Sequence, residues 1–83
     1  MEDIEQNMGF IMGNNQRQRV LQVLGSKGTL SCEKVAKIEH IPVPRVEKTL
    51  EEMAARNLVA EKEGLWSLTE MGQEIEKEMK KRA

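Results

Sequence analysis

LSCEKVAKIEH (residues 30–40), IPVPRVEKTLEEMAARNLV (41–59) and AEKEGLWSLT (60–69) follow one another without a break. They predict a helix, a tight turn, a second helix and a two-stranded hairpin that ends at a helix-capping threonine. Ser31 can accept from the free amides of the first turn after it. Val35, Ala36 and Ile38 then face inward, and the helix stops near His40. In Ile41-Pro42-Val43-Pro44, a residue before proline is pushed out of the helical region, so Ile41 and Val43 are expected to be extended. Pro44 suits the first turn of the next helix, where its missing N–H costs nothing. In the helix over residues 44–56, Val46, Leu50 and Met53 share one face, flanked by Thr49 and Ala54. Pro44, Arg45, Lys48, Glu51, Glu52 and Ala55 fall opposite. Leu58 to Glu61 alternates as a strand, Glu63-Gly64 makes the turn, and Leu65 to Leu68 returns with Trp66 and Leu68 on one side.

Upstream, Asn14 or Asn15 can cap a helix whose apolar face is Val20, Leu21 and Leu24, with Gly25 and Gly28 ending it. Thr29 and Leu30 are expected to form a short third strand beside the hairpin. Downstream, Thr69 caps a last helix in which Met71, Ile75 and Met79 recur at i, i+4 and i+8. Lys77, Lys80, Lys81 and Arg82 lie toward its C-terminal end, where cations are favoured by the helix dipole. Residues 1–13 place Ile4, Met8, Ile11 and Met12 on one helical stripe weakened by Gly9 and Gly13. That segment reads either as a frayed arm or as a short helix. The division expected is thus 1–13, arm or short helix, and 14–83, the main domain with its C-terminal helix.

At 83 residues the chain has room for one small core and no deep enzyme cleft. The net charge is −1, but its distribution is uneven. Between Asn14 and Lys48 seven basic residues stand against Glu33, Glu39 and Glu47, a local charge of +4. No stretch approaches the ~18 apolar residues of a membrane span and no leader is evident, so a cytoplasmic protein is expected. A single cysteine, Cys32, leaves nothing for an internal disulfide and fits a reducing compartment. Near a helix N-terminus it could have a lowered pKa and sense oxidants, or simply fill a first turn. His40 and Cys32 fall short of the four ligands of a structural zinc. There is no nucleophile–base pair, glycine-rich phosphate loop or metal-carboxylate cluster. Neither catalysis, a metal nor a cofactor is expected.

Three pieces resemble winged helix-turn-helix transcriptional regulators of the ArsR and MarR kind, particularly small archaeal and bacterial ones. NNQRQRVLQVL (14–24) is similar to the opening helix pattern, LSCEKVAKIEHIPVPRVEKTLEEMAARNLV (30–59) to the helix-turn-helix running into the first wing strand, and GLWSLTEMGQEI (64–75) to the aromatic-x-Leu-Thr-x-x-Gly pattern that closes the wing. In order and at the right spacing, they lie within residues 14–76. The resemblance implies an α+β, mostly α fold: three core helices, a small β-hairpin wing and a C-terminal helix. It also implies double-stranded DNA as partner and transcription regulation as function, the 44–56 helix lying in the major groove.

Carried onto this chain, that implies DNA contacts from Val43, Pro44, Arg45, Lys48 and Thr49. Arg45 is the candidate for guanine O6 and N7, and Lys48 for a phosphate. Ser31, Lys34 and Lys37, and Arg17 and Arg19 of the first core helix, are further phosphate candidates; Lys62 is the cation of the wing. Departures from the pattern are the acidic wing tip Glu61-Lys62-Glu63-Gly64, Asn57 where a glycine often stands, and the lack of an ArsR-type metal cysteine motif. The chain is shorter than a full MarR protein, and is expected to lack its ligand pocket and long dimerisation helices. Glu47, Glu51 and Glu52 oppose DNA binding, although i,i+4 pairing with Lys48 or Arg56 neighbours, as of Glu52 with Arg56, can neutralise them locally. The acidic half of this helix and the acidic wing keep an alternative open: a winged helix that binds a protein of the transcription machinery. Ile4, Met8, Ile11 and Met12, with Ile75 and Met79, form the expected homodimer interface.

Overall fold

The computed structural model describes residues 4–82; Met1, Glu2 and Asp3 of the expected arm, and Ala83, lie outside the described residues. The element order is α1 (Ile4–Met12), α2 (Asn15–Lys27), β1 (Leu30–Ser31), α3 (Cys32–Glu39), α4 (Val43–Ala55), β2 (Val59–Lys62), β3 (Leu65–Leu68) and α5 (Glu70–Arg82). None of these helices is long and apolar enough to cross a membrane.

Local chemistry sets most of the boundaries. Asn14 caps α2, its side-chain oxygen accepting from the amides of Gln16 at 2.8 Å and Arg17 at 3.1 Å. The helix does not stop at Gly25. It runs to Lys27 and closes on Gly28, whose φ of +87° suits glycine alone. Ser31 caps α3 by accepting from the Lys34 amide at 3.1 Å, and His40 ends it in the left-handed conformation. The next helix begins at Val43 rather than Pro44. The Pro42 carbonyl already accepts from the amides of Arg45 and Val46, which draws Val43 into the first turn.

The three-stranded antiparallel sheet has the order β1-β3-β2. Leu30 lies opposite Trp66, and Val59 opposite Leu68. Glu63 (φ +53°) and Gly64 (φ +81°) form the two-residue turn, both in the positive-φ geometry whose twist matches the flanking strands. The Glu61 carboxylate accepts from the Gly64 amide at 2.7 Å and braces that turn.

The wing is tied to the helices at its base. The Thr69 hydroxyl donates to the Asn57 carbonyl at 2.6 Å and accepts from the Gly72 amide at 3.1 Å, so it caps α5 and closes the hairpin at once. The Thr69 amide donates to the Leu58 carbonyl at 3.1 Å. Asn57 adopts φ +62°, which its short polar side chain tolerates.

The core gathers Val20, Leu21, Leu24, Val35, Val46, Leu50, Met53, Leu58 and Ile75, all at most 2% exposed. Residues 4–12 are helix, and they contribute to this core: Met8 and Ile11 are buried in it beside α2 and α5. Three residues expected at a dimer face, Met8, Ile11 and Ile75, are therefore covered within the chain itself. Met12 is 49% exposed, while Ile4 and Met79 are half-buried against the core. Trp66 packs half-buried against the core from β3.

Cys32 is buried at the start of α3, its thiol 3.8 Å from the Val43 carbonyl. Burial, with smaller contributions from Glu47 and Glu33, pushes its pKa up. This is the reverse of the lowered value its helix-terminal position suggested, because desolvation disfavours the thiolate.

Two glycines separate close approach from propensity. A Cβ on Gly72 would collide with the Leu58 carbonyl oxygen, a backbone atom that cannot move without opening the wing base. Gly72→Ala is expected to destabilise by about 2–4 kcal/mol in urea unfolding. At Gly25 the Cβ would meet a side chain and no backbone atom among its nearest neighbours, Glu76, at 2.7 Å from Cδ and 2.9 Å from Cγ. There the helical gain of about 1 kcal/mol offsets the displacement, so Gly25→Ala is expected to change stability by less than about 1 kcal/mol. Cys32 is expected to react with iodoacetamide at pH 8 at least about tenfold more slowly in the folded protein than in urea, because both burial and the raised pKa deplete accessible thiolate.

Candidate nucleic-acid interface

The first half of α4 presents its polar face because its other face is fixed. Val46 and Leu50 are fully buried, and Ile41 anchors the α3–α4 turn at 5% exposure. With that face inward, the helical period carries Pro44, Arg45 and Lys48 outward, where all three are exposed. Neither Arg45 nor Lys48 makes an ion pair among the described residues. Lys34 and Lys37 are exposed on α3, again without an ion pair among the described residues. Ser31 is half-buried, with its hydroxyl occupied as the α3 cap. Val43 is half-buried, and Lys62 is exposed on the wing opposite Leu65.

Three candidate contacts are placed differently from expectation. Arg17 turns inward: Nε and Nη2 reach Glu52 Oε1 at 3.4 and 3.2 Å, and Nη1 donates to the Phe10 carbonyl at 3.0 Å. Arg19 pairs with the Glu39 carboxylate at 3.0 Å and also donates to the Glu39 carbonyl. Both guanidiniums are thus committed to holding helices together. Thr49 is 7% exposed, because it sits at the edge of the buried face rather than on the outer one.

Glu52 likewise finds a different partner. The expected i,i+4 pair with Arg56 does not form; Arg17 takes the carboxylate, and Arg56 lies over the Phe10 ring at 4.2 Å with Nη1 3.5 Å from Asn7 Oδ1. Arg17 also lies over the ring, at 3.9 Å, so Phe10 is contacted by two cations. Phe10 carried no sequence signal as a site residue. It lies off the Ile4-Met8-Ile11 stripe, and only the fold brings it to Arg17 and Arg56. The start of α2 and the outer side of α4 border a polar recess lined by Asn14, Gln16, Arg17, Arg45, Lys48, Thr49 and Glu52.

The carboxylates that remain are unevenly placed. Glu47 and Glu51 are exposed on α4, whereas Glu52 is compensated. Glu61 and Glu63 flank Lys62 at the wing, so the wing presents little positive field. Among the described residues no group of three or more His, Cys, Asp or Glu side chains could hold a metal ion.

No protein-family model and no curated protein matches the chain. Solved structures do. Ligand-free NadR superposes with a TM-score of 0.80 at 20% identity, over 95% of this chain and 63% of NadR. A MarR/EmrR family transcriptional regulator from Acinetobacter sp. ADP1 superposes with a TM-score of 0.71 at 22% identity, over 96% of this chain and 65% of that one. The chain spans less than two thirds of the length of either. Across that span it shares their fold: mostly helical, with a small three-stranded antiparallel sheet, a winged helix.

Proposed function

We propose that this chain is a transcriptional regulator that binds double-stranded DNA as a homodimer, with the first half of α4 in the major groove. The observation that carries the reading is the pair Arg45 and Lys48: exposed, without ion pairs among the described residues, and near the start of the helix that follows the turn. In helix-turn-helix proteins the early residues of that helix meet the base edges. Arg45 offers the planar fork that suits guanine O6 and N7, and Lys48 lies one turn on, placed for a phosphate. Lys34 and Lys37 extend the positive field along α3. Val43 and Pro44 add apolar surface at the groove end of α4, while Ser31 and Lys62 are peripheral contacts. The fold similarity to a transcriptional regulator from Acinetobacter supports the same reading.

The homodimer reading rests on the apolar side chains that α1 and α5 leave uncovered: Met12, which is 49% exposed, and the half-buried Ile4 and Met79. A two-fold pair would present two copies of α4 to half-sites about one helical turn apart.

Affinity for duplexes selected from a random pool is expected to fall steeply with salt as phosphate-bound counterions are released. Arg45→Ala should cost about 1–3 kcal/mol on the selected duplex, and Lys48→Ala should reduce the salt slope by about 1. Failure to enrich any duplex at low salt overturns the reading in favour of a protein-binding winged helix, to which the exposed Glu61 and Glu63 would then belong. Sedimentation equilibrium should return twice the 9.5 kDa chain mass, and Met12→Glu should shift it toward the single-chain value.

A further inference from the structure

We propose that Arg17 is a positioning residue for nucleic-acid binding: by holding Glu52, it keeps Lys48 and Arg45 free to meet phosphate. The proposal rests on the DNA-binding reading and concerns a residue that does not itself touch DNA in it.

Helical geometry would otherwise work against the site. Lys48 and Glu52 are four residues apart on α4, the spacing at which an ammonium and a carboxylate pair on a helix surface. Arg45 lies a further turn along the same side, seven residues from Glu52. Left alone, Glu52 would draw Lys48 into a local pair and place an uncompensated negative charge beside an incoming phosphate.

Arg17 removes that competition because it arrives from another helix already fixed in place. Phe10 holds it twice, by its carbonyl at 3.0 Å from Nη1 and by its ring at 3.9 Å from the guanidinium carbon. The remaining nitrogens, Nε and Nη2, point at Glu52 Oε1. A preorganised planar donor loses less freedom on pairing than the flexible Lys48 ammonium, so the carboxylate goes to Arg17. The recess between α2 and α4 then presents Arg17, Arg45 and Lys48 against one carboxylate. With its side chain 38% exposed, Glu52 still faces solvent, so its charge is felt at the surface whenever Arg17 is removed.

A double-mutant cycle separates this role from direct phosphate contact. Binding of a fluorescein-labelled random-sequence duplex would be followed by anisotropy at low salt for wild type, Arg17→Gln, Glu52→Gln and the double variant. Arg17→Gln is expected to weaken binding about tenfold, because it both removes a unit charge and frees Glu52 to capture Lys48. In the Glu52→Gln background only the loss of the unit charge remains, so the same substitution is expected to weaken binding about threefold. Thermal melts of the four proteins serve as the structural readout. Glu52→Gln does not replace the Phe10 contact, so a merely structural role would leave both affinity and melting temperature unrescued. An equal loss in both backgrounds overturns the proposal and makes Arg17 act in its own right, through its charge or by touching phosphate, and no loss in either background overturns it as well. If wild type binds no duplex at all, both this proposal and the DNA-binding reading fall; either of the other two outcomes leaves that reading standing.

Discussion

The base of the wing hangs on one carbonyl. Leu58 O accepts from the Thr69 amide, and the α-carbon of Gly72 packs so close to it that no side chain fits between. Thr69 closes the same junction from the other side, bonding the Asn57 carbonyl and the Gly72 amide through one hydroxyl. The end of α4, both wing strands and the start of α5 meet at this point. Its geometry explains three residues together: Asn57 in a left-handed turn, Thr69 as a cap that also reaches back, and glycine at position 72. Through Leu58 and Ile75, both fully buried, the junction also reaches the core that orients α4.

A second constraint is electrostatic. With a net charge of −1, the protein has no positive field to spare over its whole surface, so any affinity for a polyanion depends on how charge is sorted. Arg17 and Arg19 are absorbed by Glu52 and Glu39 in half-buried pairs between helices. Lys80, Lys81 and Arg82 pair with Glu76, Glu78 and Glu5 at the α5 end. The cations left without such partners among the described residues include Arg45, Lys48, Lys34 and Lys37, on the two helices flanking the turn. Phe10 is central to this sorting, since its ring receives both Arg17 and Arg56.

The order of elements was legible in the amino-acid sequence, because each boundary is decided within a few residues. Asn14, Ser31 and Thr69 each satisfy amides two or three positions on, and Glu63-Gly64 imposes its turn by backbone conformation. Arg45 and Lys48 were legible as exposed for the same reason: the apolar period of α4 fixes which face is inward. The errors fall on interactions that span the chain. Gly25 reads as a helix end from its propensity, but the α2 helix continues past it, and its missing side chain makes room for Glu76.

What the sequence by itself determined is the winged-helix order, its caps and its turn, all set by short-range hydrogen bonding and steric limits on the backbone. Only the tertiary structure decided which cations remain available and which apolar side chains remain outside. Arg17 and Glu52 are 35 residues apart, and Arg19 and Glu39 are 20 apart. The stripe that carries Met8 and Ile11 and the one that carries Ile75 could equally face a second copy, until α1 and α5 close over the same core. Partner choice between charges, and the side on which a stripe is buried, depend on distances through space that local sequence does not encode.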